Sequence, residues 1–366
     1  MSALKPKFPA ASAFQAELEL RVDAYFAERG LSQRDSGRMV LKTSLLLLWA
    51  AGSYLGLLFA STGWVAAPLV LSIGLAAAGI GFNVQHDANH AAYSRHRLVN
   101  RLLSLSLDLL GGSSYVWRWK HNVIHHTYSN IAGADDDIEV RPLARMAPSQ
   151  PWHAAHRLQH IYLWILYGFL AIKWHVLDDF RQVLTGRISG HRFPRPRGRD
   201  ALVFVGGKVL FVVLIFGLPL RLHPVWAVLL AYAGGAFVLG LTMSIVFQLA
   251  HCVEEAAFPL PLAGARMGHE WAVHQVATSV DFARESRATS WYVGGLNFQI
   301  EHHLFPRICH VHYPALAPIV EAVCARHGVP YRTNRSLRSA IGSHLRWLRR
   351  MGDGETTRFL APDVRP

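Results

Sequence analysis

Apolar residues along this chain are gathered in four long blocks rather than spread with the period of a soluble helix or strand. The blocks are residues 40–60, 64–84, 201–220 and 225–250. Each is long enough to cross a hydrocarbon core about 30 Å thick, which needs roughly 20 mainly apolar residues in a helix. Short polar turns at 61–63 and 221–224 separate the members of each pair. The pattern therefore predicts an all-α protein with four transmembrane helices in two hairpins.

Polar segments outside the blocks predict a helical cap on one side of the membrane. The predicted organisation is an N-terminal amphipathic segment at 1–38, a membrane domain at 39–330 whose cap is 85–200 and 251–330, and a basic tail at 331–366. The apolar face of the N-terminal helix is predicted from the spacing of four residues, Phe14, Leu18, Val22 and Phe26. Residues 161–172 are apolar but too short to span, so they predict an interfacial helix. Lys42 and Lys208 interrupt two blocks and are expected either to snorkel or to face the bundle.

The distribution of charge adds one prediction, the orientation of the protein in the membrane. The 366 residues carry a net charge of +13, and the two hairpin turns hold one arginine between them, whereas several arginines precede the third block. Because positive residues mark the cytoplasmic side of membrane proteins, both termini and the cap are predicted to be cytoplasmic. The excess charge does not indicate nucleic-acid binding, since no recognition motif accompanies it. Three cysteines are too few for a disulfide framework.

Histidine is concentrated where the chain leaves the predicted membrane blocks. Eight of the 21 histidines lie in three motifs and at one block end: His86, His90, His121, His125, His126, His251, His302 and His303. Residues four apart share a face of an α-helix, so His86 and His90 are predicted to direct two imidazoles to one point. His121 and His125 repeat this spacing. His126, one residue further on, points about 100° away and is predicted to reach a second metal.

The longer motifs are much more specific than a histidine pair. With 21 histidines, chance gives roughly one H-x-x-x-H pair, but H-x-x-x-H-H only roughly 0.07 times and Q-x-x-H-H roughly 0.03 times. His156 and His160 form an isolated pair and are predicted not to bind metal. Imidazole ligates iron, zinc, copper or nickel, so the ligand type leaves the metal open. Histidines that only cap helix ends or contact lipid headgroups are the structural alternative.

Three motifs, HDANH at 86–90, HNVIHH at 121–126 and QIEHH at 299–303, resemble the histidine boxes of the integral-membrane fatty acid desaturases. The stretches HHTYSNIAGADDDIEVRP and FQLAHCVEEA fit the same family. The Q-x-x-H-H form is similar to the subgroup that contains the front-end and linoleoyl-type acyl desaturases. The resemblance covers about residues 40–330.

The resemblance implies a di-iron centre held almost entirely by imidazoles, just cytoplasmic to a four-helix membrane domain. The implied ligands are His86, His90, His121, His125, His126, His251, His302 and His303. Gln299 stands where many relatives have histidine, so its role is either a weak carbonyl ligand or a partner of a metal-bound water. The chain lacks the HPGG haem motif of a fused cytochrome b5 domain, and a separate electron donor such as cytochrome b5 or ferredoxin with its reductase is expected.

Removing two hydrogens from an unactivated methylene chain is beyond side-chain acids and bases, so the chemistry requires a redox metal and O2 as co-substrate. No catalytic residue beyond the metal ligands is expected. Polar residues near the boxes are predicted to accept the remaining N–H of each imidazole and fix its tautomer. They are Asp87, Asn89, Asp135, Asp136, Asp137, Glu254, Glu301 and Asn297.

The acyl substrate, carried on coenzyme A or on a lipid, needs an apolar tunnel that fixes its depth against the metals. Aromatic residues that either line it or form the interfacial belt are Tyr115, Trp117, Trp119, Trp291 and Tyr292. Basic residues that are candidates for a phosphate-bearing headgroup are Arg118, Lys120, Arg284 and Arg287.

The sequence therefore predicts a membrane di-iron desaturase that introduces a cis double bond into a fatty acyl chain. A hydroxylase, epoxygenase or ketolase with the same centre is the alternative within redox chemistry, because histidine boxes do not separate these outcomes. A histidine-rich metal transporter is the alternative from another class. It is disfavoured because a transporter requires ligands within the spans at mid-membrane depth.

Overall fold

A computed structural model describes residues 5–355 of the chain as a mostly helical protein. Four helical stretches are long and apolar enough to cross a membrane: Gly37–Leu58, Gly63–Asn89, Arg199–Arg221 and Val225–His251. Each overlaps one predicted block, and short turns join them in two pairs. The all-α, two-hairpin architecture is thus confirmed. Residues 356–366, the end of the predicted basic tail, and residues 1–4 of the N-terminal segment lie outside the described residues.

The elements follow one another with short connections. The α-helices are α1 (Ala13–Arg29), α2 (Gly37–Leu58), α3 (Gly63–Ile80), α4 (His86–Asn89), α5 (Arg97–Ser104), α6 (Ser106–Leu109), α7 (Ser114–Trp117), α8 (His126–Tyr128), α9 (Gln159–Gly168), α10 (Leu170–Lys173), α11 (Asp179–Thr185), α12 (Arg199–Val212), α13 (Val225–His251), α14 (Trp271–Thr278), α15 (Arg287–Tyr292), α16 (Gln299–Leu304), α17 (Tyr313–Arg326) and α18 (Leu337–Gly352). The π-helical segments are Gly81–Gln85, Arg118–His125, Trp174–Asp178 and Val213–Gly217. The 3-10 turns are Ala154–Leu158, Pro219–Arg221, Ala263–Ala265 and His310–His312. The strand pairs are antiparallel β1 (Arg187–Ile188) with β2 (His191–Arg192), and parallel β3 (Asp281–Phe282) with β4 (Thr333–Asn334).

Small residues let the membrane helices approach closely, as is common where lipid gives no hydrophobic drive between helices. Helix α13 packs against both α3 and α9. A Cβ added at Gly74 would lie 2.7 Å from the Cβ of Val238, and one added at Gly240 would lie 2.6 Å from the carbonyl oxygen of Gly168. A larger residue at either position would push these helices apart.

The two lysines within the spans face the protein rather than lipid. Lys42 is 5% exposed, and its Nζ lies 2.9 Å from Nε2 of His310 in the cap. Lys208 is 8% exposed, and its Nζ donates to Asp179 at 2.7 Å. Of the two expectations for these residues, contact with the bundle is the one that the structure supports.

The apolar segment at 161–172 belongs to a bent pair of helical stretches, Ala154–Gly168 and Leu170–Thr185, whose axes differ by 58°. The pair packs along α13. Its outer face is apolar, with Ile161 61% and Ile165 61% exposed. This arrangement agrees with a helix that lies against lipid beside the four spans.

The cap brings together the segments that follow the second and fourth spans. Helix α1 packs on α17 and α14 through the four predicted apolar residues, which are all buried. Helix α18 lies inside the segment whose arginines indicate a basic tail, yet its apolar face is part of the cap. Trp347 is fully buried and stacks on Phe258 with 4.5 Å between ring centroids. Its amphipathic pattern, rather than its charge, determines its position.

Candidate metal centre

The first box is formed where the second span ends. The π-helical turn Gly81–Gln85 leads directly into α4, on which His86 and His90 lie with ring centroids 4.7 Å apart. Both side chains are buried. This box presents two imidazoles side by side, as the spacing of four predicts.

The second box differs from the expectation because it folds as a π-helix, Arg118–His125, instead of an α-helix. A π-helix brings residues five apart onto one face. Nε2 of His121 accordingly lies 3.2 Å from Nε2 of His126. The ring of His125 instead contacts that of His251, with 4.8 Å between centroids. His121 and His125, expected to share one metal, have different histidine neighbours, although their own ligand atoms and one of Asp137 also lie within 4.8 Å of one another.

The third box lies on α16, and His251 is the last residue of α13. Adjacent residues on α16 point in different directions, so His302 approaches His86 at 4.5 Å between ring centroids while His303 approaches His251 at 4.8 Å. The backbone N–H of Ile300 donates to Oδ1 of Asp281 at 3.0 Å, which fixes the start of this helix. The box therefore connects both histidine groups.

Among the described residues, two groups of candidate ligand atoms consist of histidines alone, and a further group of His121, His125 and Asp137 joins them; within each group all atoms lie within 4.8 Å of one another. Group one is His86, His90, His121 and His302, and group two is His125, His251 and His303. His126 lies between the groups, because its ring stacks on that of His303 at 4.4 Å and contacts that of His302 at 4.7 Å. All eight histidines singled out from the sequence converge on this one buried region.

These residues fit a pair of metal ions. Nε2 is buried and has no hydrogen-bond partner among the described residues in five of the histidines: His86, His90, His125, His302 and His303. Each unpaired buried nitrogen costs on the order of 1–3 kcal/mol, so such a convergence needs a compensating partner. A metal ion that accepts the nitrogen lone pairs would be such a partner, and an all-imidazole set suits a transition metal such as iron.

Several Nδ1 atoms bond to partners outside the two groups, which fixes the ring orientation. Asp135 lies 3.1 Å from Nδ1 of His125, and this carboxylate is one of the predicted acceptors. The other partners come from segments that sequence reasoning missed: Gln275 Oε1 at 2.8 Å from His303, the Thr278 carbonyl oxygen at 3.0 Å from His251, and the Tyr313 hydroxyl at 3.4 Å from His302. No local motif indicates these three contacts.

Asp87 of the first box has a different main partner from the predicted one. Its Oδ2 lies 2.9 Å from Nδ1 of His310, and its Oδ1 is 3.9 Å from Nδ1 of His86. His310 in turn contacts Lys42 in the first span. A buried row of polar groups thus runs from Lys42 through His310 and Asp87 to the edge of His86.

The other predicted acceptors bond to groups that are not box imidazoles. Their partners are Gln85 for Asn89, Lys120 and Ser189 for Asp136, Arg346 and Arg350 for Glu254, Tyr331 for Glu301, and Ser290 for Asn297. Asp137 lies 3.5 Å from Nδ1 of His125 and pairs with Lys120 at 3.0 Å. Closeness in sequence to a box did not determine the direction of these side chains.

Gln299 is directed at the second histidine group. Its side-chain amide nitrogen lies 2.9 Å from Nε2 of His251. The amide oxygen and nitrogen are placed by their hydrogen bonds, so either end of this group is able to face the same position. Gln299 therefore occupies a place beside His251 where a further imidazole would complete group two.

Electrostatics keep most of these imidazoles neutral, which is the form that binds a metal. Burial, together with the neighbouring histidines, lowers the pKa of His302 and of His303 well below the usual value. Burial also acts on His125, but the charges of Asp135 and Asp137 outweigh it and raise the pKa of this histidine. His125 is thus the box histidine with the strongest carboxylate support.

The remaining sequence candidates have mixed positions. Trp117 stacks on His121 at 4.3 Å between centroids and so forms a wall of the centre. Arg118, Lys120 and Arg284, considered for a headgroup, are occupied by internal partners. His156 bonds through both ring nitrogens to neighbouring backbone, in agreement with its exclusion as a ligand.

Comparison with known proteins agrees with this geometry. The sequence profile named fatty acid desaturase matches residues 62–335. The chain belongs to the fatty acid desaturase family. It is 39% identical to the sn-1 linoleoyl-lipid 6-desaturase of Synechocystis sp., covering 96% of this chain and 99% of that protein. The protein of the same name from Arthrospira platensis is 36% identical, covering 97% of each chain. An acyl-lipid (8-3)-desaturase from Physcomitrium patens is 38% identical over 93% of this chain and 72% of that protein.

Membership of this family identifies the chain as an oxidoreductase that desaturates fatty acyl chains in a membrane context. The prediction of a desaturase of the front-end and linoleoyl type is confirmed. The clusters of buried histidines are compatible with a metal centre. His86, His90 and His251 lie at the ends of two candidate spans, and the other histidines of the clusters lie in segments outside the four spans.

Proposed function

We propose that this desaturase uses two iron ions, O2 and electrons from a separate donor to introduce a cis double bond at position 6 of a linoleoyl chain esterified to a lipid. The position and the lipid carrier rest on the two cyanobacterial relatives, which match nearly end to end. The iron pair rests on the two histidine groups with their unpaired Nε2 atoms. The convergence of these nitrogens is the observation that carries the proposal.

Each of the two histidine groups would hold one iron ion. In group one, His86, His90, His121 and His302 would hold one iron. In group two, His125, His251 and His303 would hold the other, with His126 between the two histidine groups and Gln299 beside His251. A bound iron pair supplies the redox chemistry that activates O2.

The surrounding protein orients the imidazoles and excludes water. Asp135 and Gln275 hold the Nδ1 protons of His125 and His303, so that the Nε2 lone pairs face inward. The indole of Trp117 packs over His121 and shields group one. Burial of the ligand nitrogens of His125, His302 and His303 limits the access of bulk water to the site where the iron pair would be held.

Expression in a yeast that is fed linoleate tests the proposal. We expect an 18-carbon product with a third double bond at carbon 6, two hydrogens lighter than linoleate by mass spectrometry of its derivatives. A product that carries an added oxygen would identify a hydroxylase, epoxygenase or ketolase instead. Purified enzyme is expected to contain about two iron ions per chain, and zinc in place of iron in an active preparation would contradict the metal assignment.

We also propose that both termini and the histidine groups face the cytoplasm. This orientation is supported by the arginine-poor hairpin turns and the arginine-rich segments before α12 and in α18. The boundaries of the membrane domain at residues 39 and 330 belong to the same proposal. Electrons from a soluble or membrane-anchored carrier would then reach the centre through the cap.

A further inference from the structure

A surface cavity reaches the metal centre from the cap side. Its volume is 590 Å³, within the usual range for small-molecule sites. His90 and His126 line it, together with Asn122 and Trp271. The indole nitrogen of Trp271 donates to the carbonyl oxygen of His126 at 3.0 Å. A molecule in this cavity would therefore lie directly against two residues of the centre.

The cavity is strongly basic. Arg34, Arg95, Arg97 and Arg307 line it, and its lining contains no carboxylate among the described residues. Arg95 is neutralised by Asp35 at 2.9 Å, just outside the lining. Neither Arg97 nor Arg307 has an ion pair within residues 5–355. Free guanidinium groups around a concave site are the arrangement that binds phosphate, because each presents paired N–H donors.

The basic rim has features that are typical of the level where a membrane protein meets lipid headgroups. Arg34 precedes the first residue of the first span by three positions, and Arg97 begins α5. On that helix, Leu98 is 63% and Leu102 is 58% exposed. A short helix with basic residues beside outward leucines is typical of the membrane interface. The cavity therefore opens beside headgroups and not only to bulk water.

Desaturation at carbon 6 places the ester group of the substrate near the metals. Five bonds of about 1.5 Å each separate the ester carbon from carbon 6, so the ester lies within roughly 6–8 Å of the reacting carbons. The glycerol and the headgroup are joined to this ester, so they must also lie close to the metals. A polar, basic cavity in contact with His90 and His126 meets this requirement for the ester and headgroup end of the substrate.

We propose that this cavity binds the phosphate of an acidic glycerophospholipid whose linoleoyl chain is the substrate. The proposal rests on lipid-linked 6-desaturation, the proposed function. Arg97 and Arg307 supply the contacts to the phosphate, and the enzyme therefore prefers linoleoyl chains on an acidic phospholipid to the same chains on a neutral lipid. Arg118, Lys120 and Arg284 do not take this role because their side chains are already bonded within the protein.

Competition between two lipids in one vesicle tests this preference. Purified enzyme is placed in vesicles of saturated phosphatidylcholine that contain equal linoleoyl-phosphatidylglycerol and linoleoyl-diacylglycerol, with reduced ferredoxin as electron source. The lipid classes are separated and their 6-desaturated chains measured. We expect phosphatidylglycerol to be converted about tenfold faster, and the double variant Arg97→Gln/Arg307→Gln to lower this ratio about tenfold. Arg181→Gln, an exposed arginine on α11, should leave the ratio unchanged.

The ratio does not depend on how much enzyme is folded, since both lipids meet the same molecules. Equal conversion of the two lipids by the unchanged enzyme, or an unchanged ratio in the double variant, would overturn the proposal while 6-desaturation itself stands. No 6-desaturated product on any carrier would instead refute the proposed function. Faster conversion of linoleoyl-coenzyme A, or a raised KM for ferredoxin with the lipid ratio unchanged, would assign the basic rim to another phosphate carrier or to a protein and also overturn it.

Discussion

At the scale of single residues, His125 is the position at which the metal-ligand assignment is best tested against simple burial of a histidine. Its Nε2 is unpaired, and its Nδ1 is held by Asp135. We expect His125→Ala to abolish product and to lower iron from about two to about one ion per chain, because group two loses a ligand. Metal analysis of the purified variant and product analysis of the host measure both effects. His160→Ala is the matched control and should keep most activity, whereas equal damage in both variants would argue against the assignment.

Gln275 is a positioning residue for the third box, since its Oε1 lies 2.8 Å from Nδ1 of His303. We expect Gln275→Leu to weaken metal binding about 10–100-fold, because His303 loses the acceptor that orients it. Gln275→Glu keeps an oxygen at this position and should restore binding. Cobalt titration against a competing chelator measures affinity independently of turnover. If the Gln275→Leu variant binds cobalt as tightly as the unchanged protein does, Gln275 does not position His303 for metal binding.

Lys42 is expected to stabilise the fold through the buried row that ends at His86. Lys42→Met removes the cation that faces His310 and leaves Asp87 with less compensation. Losing one partner of a buried charge arrangement typically costs about 3–5 kcal/mol. Thermal unfolding in detergent should show a clearly lower Tm. Lys173→Met breaks an exposed ion pair with Asp178 and should change Tm little, so similar losses would contradict this role.

At this scale the sequence predicts which histidines come together better than it predicts their hydrogen-bond partners. Most of the eight histidines stand out because a rare spacing repeats in the motifs, and the structure brings all eight into one region. Gln275, Thr278 and Tyr313 carry no such pattern. They reach the boxes only because α14 and α17 fold back over α16, which is a consequence of tertiary packing and not of local sequence.

At the scale of elements, α1 supports the third box from outside. Phe14 and Leu18 pack in one apolar cluster with Ile300 and Leu304 of α16. We expect Leu18→Ala to lower the free energy of unfolding by about 2–5 kcal/mol, the usual cost of emptying a buried leucine site. Thermal unfolding measures the loss. Leu20, two residues further on, is 68% exposed, so Leu20→Ala should be nearly neutral. Equal effects would show that the face of α1 is wrongly assigned.

Elements with strong periodicity are predictable, and those whose hydrogen bonding departs from the α-helix are not. The spacing of four in α1 and the length of the apolar blocks each identify a helix and its buried face. Nothing in HNVIHH distinguishes an α-helix from the π-helix that brings His121 beside His126. The wider turn of this π-helix is evident only once the residues of both histidine groups have their positions in the fold.

At the scale of the whole molecule, the histidine groups constrain how often the chain crosses the membrane. By length and composition alone, the bent pair at 154–185 would permit a fifth span within the described residues. A chain of ring contacts nevertheless joins His86 to His251. The centroid distances are 5.2 Å from His86 to His121, 5.3 Å from His121 to His125 and 4.8 Å from His125 to His251. Both span ends must therefore be on the same side of the membrane.

Between His86 and His251 the chain contains the third and fourth spans, which are two crossings. A third crossing by the bent pair would place the two histidines on opposite faces, and the centre could not form. The bent pair therefore enters the lipid without crossing it. The number of crossings between the two histidines is even whichever side of the membrane is the cytoplasm.

Cysteine labelling in sealed vesicles tests this topology. The native cysteines, Cys252, Cys309 and Cys324, are buried, which lowers the background. We expect Thr62→Cys and Leu222→Cys, in the two hairpin turns, to react with an impermeant maleimide from one side. Arg192→Cys, exposed between the bent pair and the third span, should react only from the other side. Labelling of Arg192→Cys from the same side as Thr62→Cys would mean that the bent pair crosses the membrane, and a joint centre of His86 and His251 would then be impossible.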